Sequence, residues 1–114
     1  MNALAGDGYQ AEFDSAAGCV RLCGSLRLGG LTEYAPISQL LEDALDGRSA
    51  LTVDLSTLEF LNSSGIATLS KFVISARNRK DCALTIRGSS TIPWQGKSLN
   101  NLKRLMPSLE LVFD

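Results

Sequence analysis

Apolar and polar positions alternate over the first part of the chain, then switch to a longer period. Residues 9–13 alternate weakly, Asp14-Ser15-Ala16-Ala17-Gly18 is rich in turn formers, and residues 19–24 alternate again with Val20 and Leu22 on one face. This pattern predicts a β-hairpin. Ile37, Leu40, Leu41, Ala44 and Leu45 then recur at helical spacing, with Thr32 placed to cap the helix and Gly47 to end it. Pro36 falls early enough to be tolerated where backbone donors lack partners. Leu51, Val53 and Leu55 alternate as the next strand, and Leu58 and Phe60 carry the apolar pattern up to Asn62-Ser63-Ser64-Gly65. There the period changes from two to about three and a half.

From about residue 64 to 79, Ile66, Leu69, Phe72, Val73 and Ala76 form one apolar stripe behind small polar residues that can cap a helix. Residues 83–87 read as a strand and residues 88–96 as a loop broken by Pro93. Leu99, Leu102, Leu105 and Met106 read as a third helical stripe stopped at Pro107, and residues 109–113 as a last short strand. The expected order is β-β-α-β-α-β-α-β over residues 1–114 as a single α/β domain. Strands separated by helices pair in parallel through right-handed crossovers, and the first hairpin adds an antiparallel edge. A mixed, mostly parallel sheet with helices mainly on one face follows.

A chain of 114 residues, 45% of them hydrophobic, is about one domain's worth. Eleven basic and 12 acidic residues leave a net charge of −1, so no global charge draws it to nucleic acid or to an anionic membrane. Met1-Asn2-Ala3-Leu4-Ala5-Gly6-Asp7 has neither a basic nor a long apolar stretch, and no apolar run is long enough to insert in a membrane, so a cytoplasmic place is expected. Cys19, Cys23 and Cys82 include no Cys-x-x-Cys pair. Cys19 and Cys23 share a predicted strand, where about 3.3 Å per residue keeps them too far apart to bridge, so free thiols are expected. Histidine is absent, which removes Ser-His-Asp and Cys-His chemistry and leaves no imidazole for a transition metal. No catalytic residue, metal site or cofactor is expected, and the chain does not read as an enzyme.

Val53-Asp54-Leu55-Ser56-Thr57-Leu58-Glu59-Phe60-Leu61-Asn62-Ser63-Ser64-Gly65-Ile66 resembles the signature of the STAS family, named for sulfate transporters and anti-sigma-factor antagonists. In that family a strand ends in an Asp-containing stretch, followed by a short apolar run and then Asp-Ser-Ser-Gly or Asp-Ser-Thr-Gly opening a helix. The resemblance implies a STAS-like fold and a non-enzymatic switch that docks a signalling partner through Asn62, Ser63, Ser64, Gly65 and Ile66. It makes Ser63 the residue a partner kinase phosphorylates, with an anti-sigma factor or serine kinase-like protein and a phosphatase as partners. The chain departs from the family at Asn62, where phosphorylated members usually carry Asp. Asparagine still caps a helix, but no carboxylate stands beside the acceptor hydroxyl. Asn62 thus favours the alternative of an unphosphorylated STAS subunit of a transporter or a stress-signalling scaffold.

The chemistry of the turn suits a switch. The hydroxyls at a helix start can accept from unpaired N–H groups, and those N–H groups with the helix dipole can also stabilise a phosphate. A phosphate adds about −1.5 to −2 charges to a close-fitting surface and repels a partner that has no matching cation.

Three further features stand outside this signature. Gly96-Lys97-Ser98 looks like the end of a phosphate-binding loop, but seven residues separate Gly88 from Gly96 where four are required, so nucleotide binding ranks third. Lys97 and Ser98 at a helix start can still contact an anion or a partner. Trp94, alone in its loop, is either a core plug or a partner anchor. Charge is uneven: residues 1–60 carry a net −6 and the remainder +5. Arg77, Arg79 and Lys80 complement a helix C-terminus, whereas Lys71, Lys97, Lys103 and Arg104 would suit an acidic partner if they share a face with Ser63.

Overall fold

The computed structural model describes residues 2–114. Its strands are β1 (Asn2–Gly6), β2 (Tyr9–Asp14), β3 (Cys19–Leu26), β4 (Ala50–Leu61), β5 (Ala83–Gly88) and β6 (Glu110–Phe113), and its helices α1 (Leu31–Leu45), α2 (Ser63–Arg79) and α3 (Gln95–Leu105). The six strands lie in one sheet in sequential order. β1, β2 and β3 pair antiparallel, and β3, β4, β5 and β6 pair parallel. Sequential parallel strands joined by crossovers of one hand place α1, α2 and α3 on the same face. The inner residues Ala11, Phe13, Val20, Leu22, Leu51, Val53, Leu55, Leu84 and Ile86 are buried against the apolar stripes of the helices, with Leu41, Phe72, Val73 and Leu99 among the latter.

The expected mixed α/β sheet is the one observed, with one strand added. β1 was not expected, because Asn-Ala-Leu-Ala-Gly carries a single large apolar residue and no alternation. It is a strand because its backbone pairs with β2, from Asn2 opposite Phe13 to Gly6 opposite Tyr9. The order is therefore β-β-β-α-β-α-β-α-β. Two helix starts also differ. α1 begins at Leu31 behind Gly30, which makes no side-chain cap, so Thr32 lies inside the helix and Pro36 in its second turn. α3 begins at Gln95, four residues before the first leucine of its stripe.

The outer face of the sheet is polar and carries a ladder of alternating charge. Glu12 opposes Arg21, Arg21 opposes Asp54, and Asp54 opposes Arg87 in register. The ion pairs Arg21–Glu12 (3.4 Å), Arg21–Asp54 (3.6 Å) and Arg87–Asp114 (3.1 Å) complete it. Cross-strand pairs of opposite charge support a sheet. Burial works to raise the Asp54 pKa, but the hydroxyl and amide hydrogens of Ser56, then Arg21 and Arg87, hold it below the ordinary carboxylate value. All three cysteines are free. Burial and the nearby Asp54 carboxylate push the Cys19 thiol up, away from the reactive thiolate.

β4 is twice the length of β5, and only its first five residues pair with β5. Beyond Asp54 its β5 side is closed by side chains. Gln95, fully buried, donates to the carbonyls of Leu55 (2.6 Å) and Leu58 (3.1 Å) and accepts from the Ser89 amide (2.6 Å). The Trp94 indole N–H donates to Leu58 O at 3.1 Å. This extension carries β4 past its neighbour to the turn that opens α2. No helix among the described residues is long and apolar enough to cross a membrane.

Candidate functional site

The turn between β4 and α2 is organised by one residue. Asn62 is the extended N-cap of α2 (φ −81°, ψ 176°), and each of its four polar groups has a partner. Its N–H donates to Leu26 O (3.2 Å) and its carbonyl accepts from Ile66 N (3.0 Å). Its side-chain Oδ1 accepts from Gly65 N (3.0 Å) and from the Tyr34 hydroxyl (2.6 Å), while Nδ2 donates to Leu28 O (2.8 Å). Tyr34 comes from α1 and is 1% exposed, and burial raises its phenol pKa. The turn is thus tied to β3, to the β3–α1 loop and to α1 at once.

Because Asn62 supplies the cap, the two serines are released from that duty. Ser63 is exposed as the first helical residue, and Ser64 is half-buried, with its carbonyl accepting from the Thr68 hydroxyl at 2.9 Å. Gly65 is buried under α1, where a methyl group would collide with the Leu61 side chain and the Tyr34 hydroxyl. Here glycine is required by space rather than by backbone angle. Ile66 is half-buried against the core. All five residues expected at the docking turn are brought together, with only Ser63 fully exposed.

Around this turn lie features with no signal in the sequence. Leu31 at the start of α1 and Phe60 near the end of β4 are large apolar side chains left 43% and 38% exposed, and the Arg27 guanidinium stacks 4.6 Å above the Phe60 ring. A groove of about 260 Å³ runs between α1 and α2, lined by Leu31, Ala35, Ser38, Gln39, Thr68 and Lys71 among others. An exposed apolar residue looks like any core residue in a pattern of hydrophobicity, so Phe60 reads from sequence only as a continuation of its strand.

Trp94, Lys97 and Ser98 sit at the start of α3, which leaves the same end of the parallel strands as α2. Trp94 is half-buried, its ring packed on the core and its N–H engaged by Leu58, so it acts as a plug for β4. Lys97 is exposed and Ser98 half-buried. The loop before them turns most of its N–H groups inward. The N–H groups of Ser89, Ser90, Thr91, Ile92 and Gln95 all donate within the protein, and Pro93 has none. Lys103 and Arg104 lie at the far end of α3, where the Lys103 ammonium bonds the carbonyls of Pro107 and Leu109. Of the four bases singled out as suited to an acidic partner, Lys71 and Lys97 are thus the ones nearest the Ser63 end.

No family model matches the chain, and no curated protein matches it. Solved structures do. The chain is similar over 99% of its length to a chain of the complex of the diguanylate cyclase SiaD with its activator SiaC from Pseudomonas aeruginosa, covering 98% of that chain at 16% identity with a TM-score of 0.75. It is similar to apo-SiaC at 17% identity, covering 100% of this chain and 99% of that one with a TM-score of 0.73. A further SiaC structure matches at 18% identity, with 99% and 96% covered and a TM-score of 0.69. At these identities the likeness is one of fold.

Proposed function

We propose that this chain is a non-enzymatic protein-interaction switch that docks a signalling partner through residues 62–66, with a phosphate on Ser63 as the signal that releases it. The observation that carries this reading is the exposed Ser63 hydroxyl at the start of α2, freed because Asn62 makes the cap. The N-terminal dipole of the helix accommodates a phosphate there without remodelling the fold, while the added charge opposes a partner with no cation to meet it. The partner implied by the STAS signature is a kinase-like anti-sigma factor, with a serine kinase-like protein adding the phosphate and a phosphatase removing it. In this reading the chain works in the cytoplasm and binds neither nucleic acid nor membrane.

A second reading of the partner is supported by the whole-length likeness to SiaC, described as the activator of a diguanylate cyclase: the docked protein is then a nucleotide-signalling enzyme. In both readings the same turn is the contact. The remaining alternative, a permanently unphosphorylated subunit of a transporter or stress scaffold, is supported by Asn62 in the place of the family's Asp.

The test is a pull-down from the native host followed by titration of the isolated partner onto wild type, Ser63→Asp and Ser63→Ala. Ser63→Asp is expected to melt no lower than wild type, since the dipole favours the charge by about 0.3–1 kcal/mol. Its affinity is expected to fall about a hundredfold, equivalent to about 2.7 kcal/mol, from one unmatched carboxylate in the interface. Ser63→Ala is expected to bind within about threefold of wild type and to accept no phosphate. Equal affinity of Ser63→Asp and wild type would place the turn outside the interface.

A further inference from the structure

We propose that Asn62 is a positioning residue of the docking turn: its amide ties the β3–α1 loop, and with it the start of α1 at Leu31, to the start of α2. This rests on the docking reading above and adds what holds that turn in place. The three side-chain partners of Asn62 are of mixed sense. The Gly65 N–H can only donate and the Leu28 carbonyl can only accept, so the atom facing Gly65 must be the amide oxygen and the atom facing Leu28 the amide nitrogen. The Tyr34 hydroxyl then donates to the same oxygen.

A carboxylate of the same shape would keep two of these bonds and lose the third. It would still accept from Gly65 and Tyr34, but it would set negative charge against the Leu28 carbonyl, with no hydrogen between them. That carbonyl is also the acceptor for Gly30 N (3.2 Å), and Gly30 O in turn accepts from Tyr34 N (3.3 Å). The loop and the first turn of α1 therefore hang on the carbonyl that Asn62 holds. Gly30, at φ 96°, can fold back there because it has no side chain to strain. Leu31 follows directly, its apolar side chain largely exposed and lining the groove between α1 and α2 with Thr68 and Lys71. The amide at position 62 is thus a positioning group for Leu31 as well as a cap for α2.

Hydrogen exchange on the full chain separates the two roles. The Gly30 and Tyr34 amides report the loop, and the Gly65 and Ile66 amides report the helix start. In Asn62→Asp the loop pair is expected to exchange at least about tenfold faster, while the helix pair changes by less than about threefold, because the cap survives. Unchanged exchange at all four amides would overturn the proposal. So would equal acceleration at all four, which marks a general loss of stability. Tyr34→Phe keeps the bond to Leu28 and is expected to leave Gly30 within about threefold of wild type. A tenfold acceleration there would assign the clamp to Tyr34 and overturn the role given to Asn62.

Against the partner isolated on wild type, Asn62→Asp is expected to bind about tenfold more weakly, about 1.4 kcal/mol. Unchanged affinity with a released loop would show that the partner does not read the loop. Failure of the docking reading is distinguishable. Ser63→Asp binding as well as wild type removes that reading and leaves the exchange result standing, whereas protected loop amides in Asn62→Asp remove the clamp and leave docking intact.

Discussion

At the scale of single residues, the turn between β4 and α2 is a place where small differences in chemistry have large consequences. Asn62 engages five neighbouring groups, three of them through a side chain that satisfies all three only as an amide, and Gly65 leaves room for the Tyr34 hydroxyl. Replacing Gly65 with alanine drives a methyl group into Leu61 and Tyr34, both inside the core. Helix propensity favours alanine by about 1 kcal/mol, but overpacking of this kind costs about 1–3 kcal/mol and displaces the Tyr34 hydroxyl from Asn62. Gly65→Ala is therefore expected to lower the urea midpoint. A midpoint at or above wild type would mean that the α1–α2 contact yields without strain. Ser63, by contrast, touches nothing it must hold, and this is why its substitutions are expected to act on binding rather than on folding.

At the scale of elements, the long strand β4 sets the position of the turn, and the loop before α3 makes that length possible. A strand that outruns its neighbour leaves backbone carbonyls facing a hole, and the described structure answers with side chains rather than with a seventh strand. Gln95 alone engages Leu55 O, Leu58 O and Ser89 N. Gln95→Leu keeps the volume but leaves Leu55 O and Ser89 N without their partner, while Leu58 O keeps Trp94, and at about 1 kcal/mol or more for each stranded group a loss of about 2 kcal/mol is expected by chemical denaturation. Trp94→Phe removes one N–H from Leu58, which keeps its bond to Gln95, and is expected to cost about 1 kcal/mol. A Gln95→Leu variant as stable as wild type would show that the overhang needs no closure. The N–H groups of Ser89, Ser90, Thr91, Ile92 and Gln95 in the same loop are engaged in shaping it.

At the scale of the whole molecule, charge is sorted by layer and by helix. α1 carries Glu33, Glu42 and Asp43 and no base, whereas α2 and α3 carry Lys71, Arg77, Arg79, Lys97, Lys103 and Arg104 and no acid. The opposite face of the sheet pairs Arg21 with Glu12 and Asp54, and Arg87 with Asp114. Asp54 sits in that ladder with its pKa depressed, chiefly by Ser56 and then by Arg21 and Arg87, against the opposing effect of burial. A depressed carboxylate contributes stability that is fully present above its unfolded value of about 3.9 and is lost as pH falls through the lower folded value. Wild type is therefore expected to be more stable than Asp54→Asn at neutral pH, with the two urea midpoints converging as pH falls through the depressed folded value. A constant difference across that range would show that Asp54 acts through packing and not through charge.

The sequence by itself determined the α/β class, the three apolar helical stripes, the parallel strands between them and the turn with its exposed serine. These follow from local periodicity and capping chemistry, which a chain carries in neighbouring residues. It did not determine β1, whose five residues have no pattern of their own and are a strand only through pairing with β2. Nor did it determine the start of α3, because Gln95 and Trp94 are fixed by carbonyls of a strand some 40 residues earlier. Asn62 shows the division most clearly. In sequence it is a departure from a family pattern that still caps a helix. Only the tertiary structure sets a tyrosine hydroxyl on one side of it and a backbone carbonyl on the other, and hydrogen bonds between residues 28 and 34 positions apart leave no trace in local composition. Whether that position calls for an amide or an acid was decided by what folds against it.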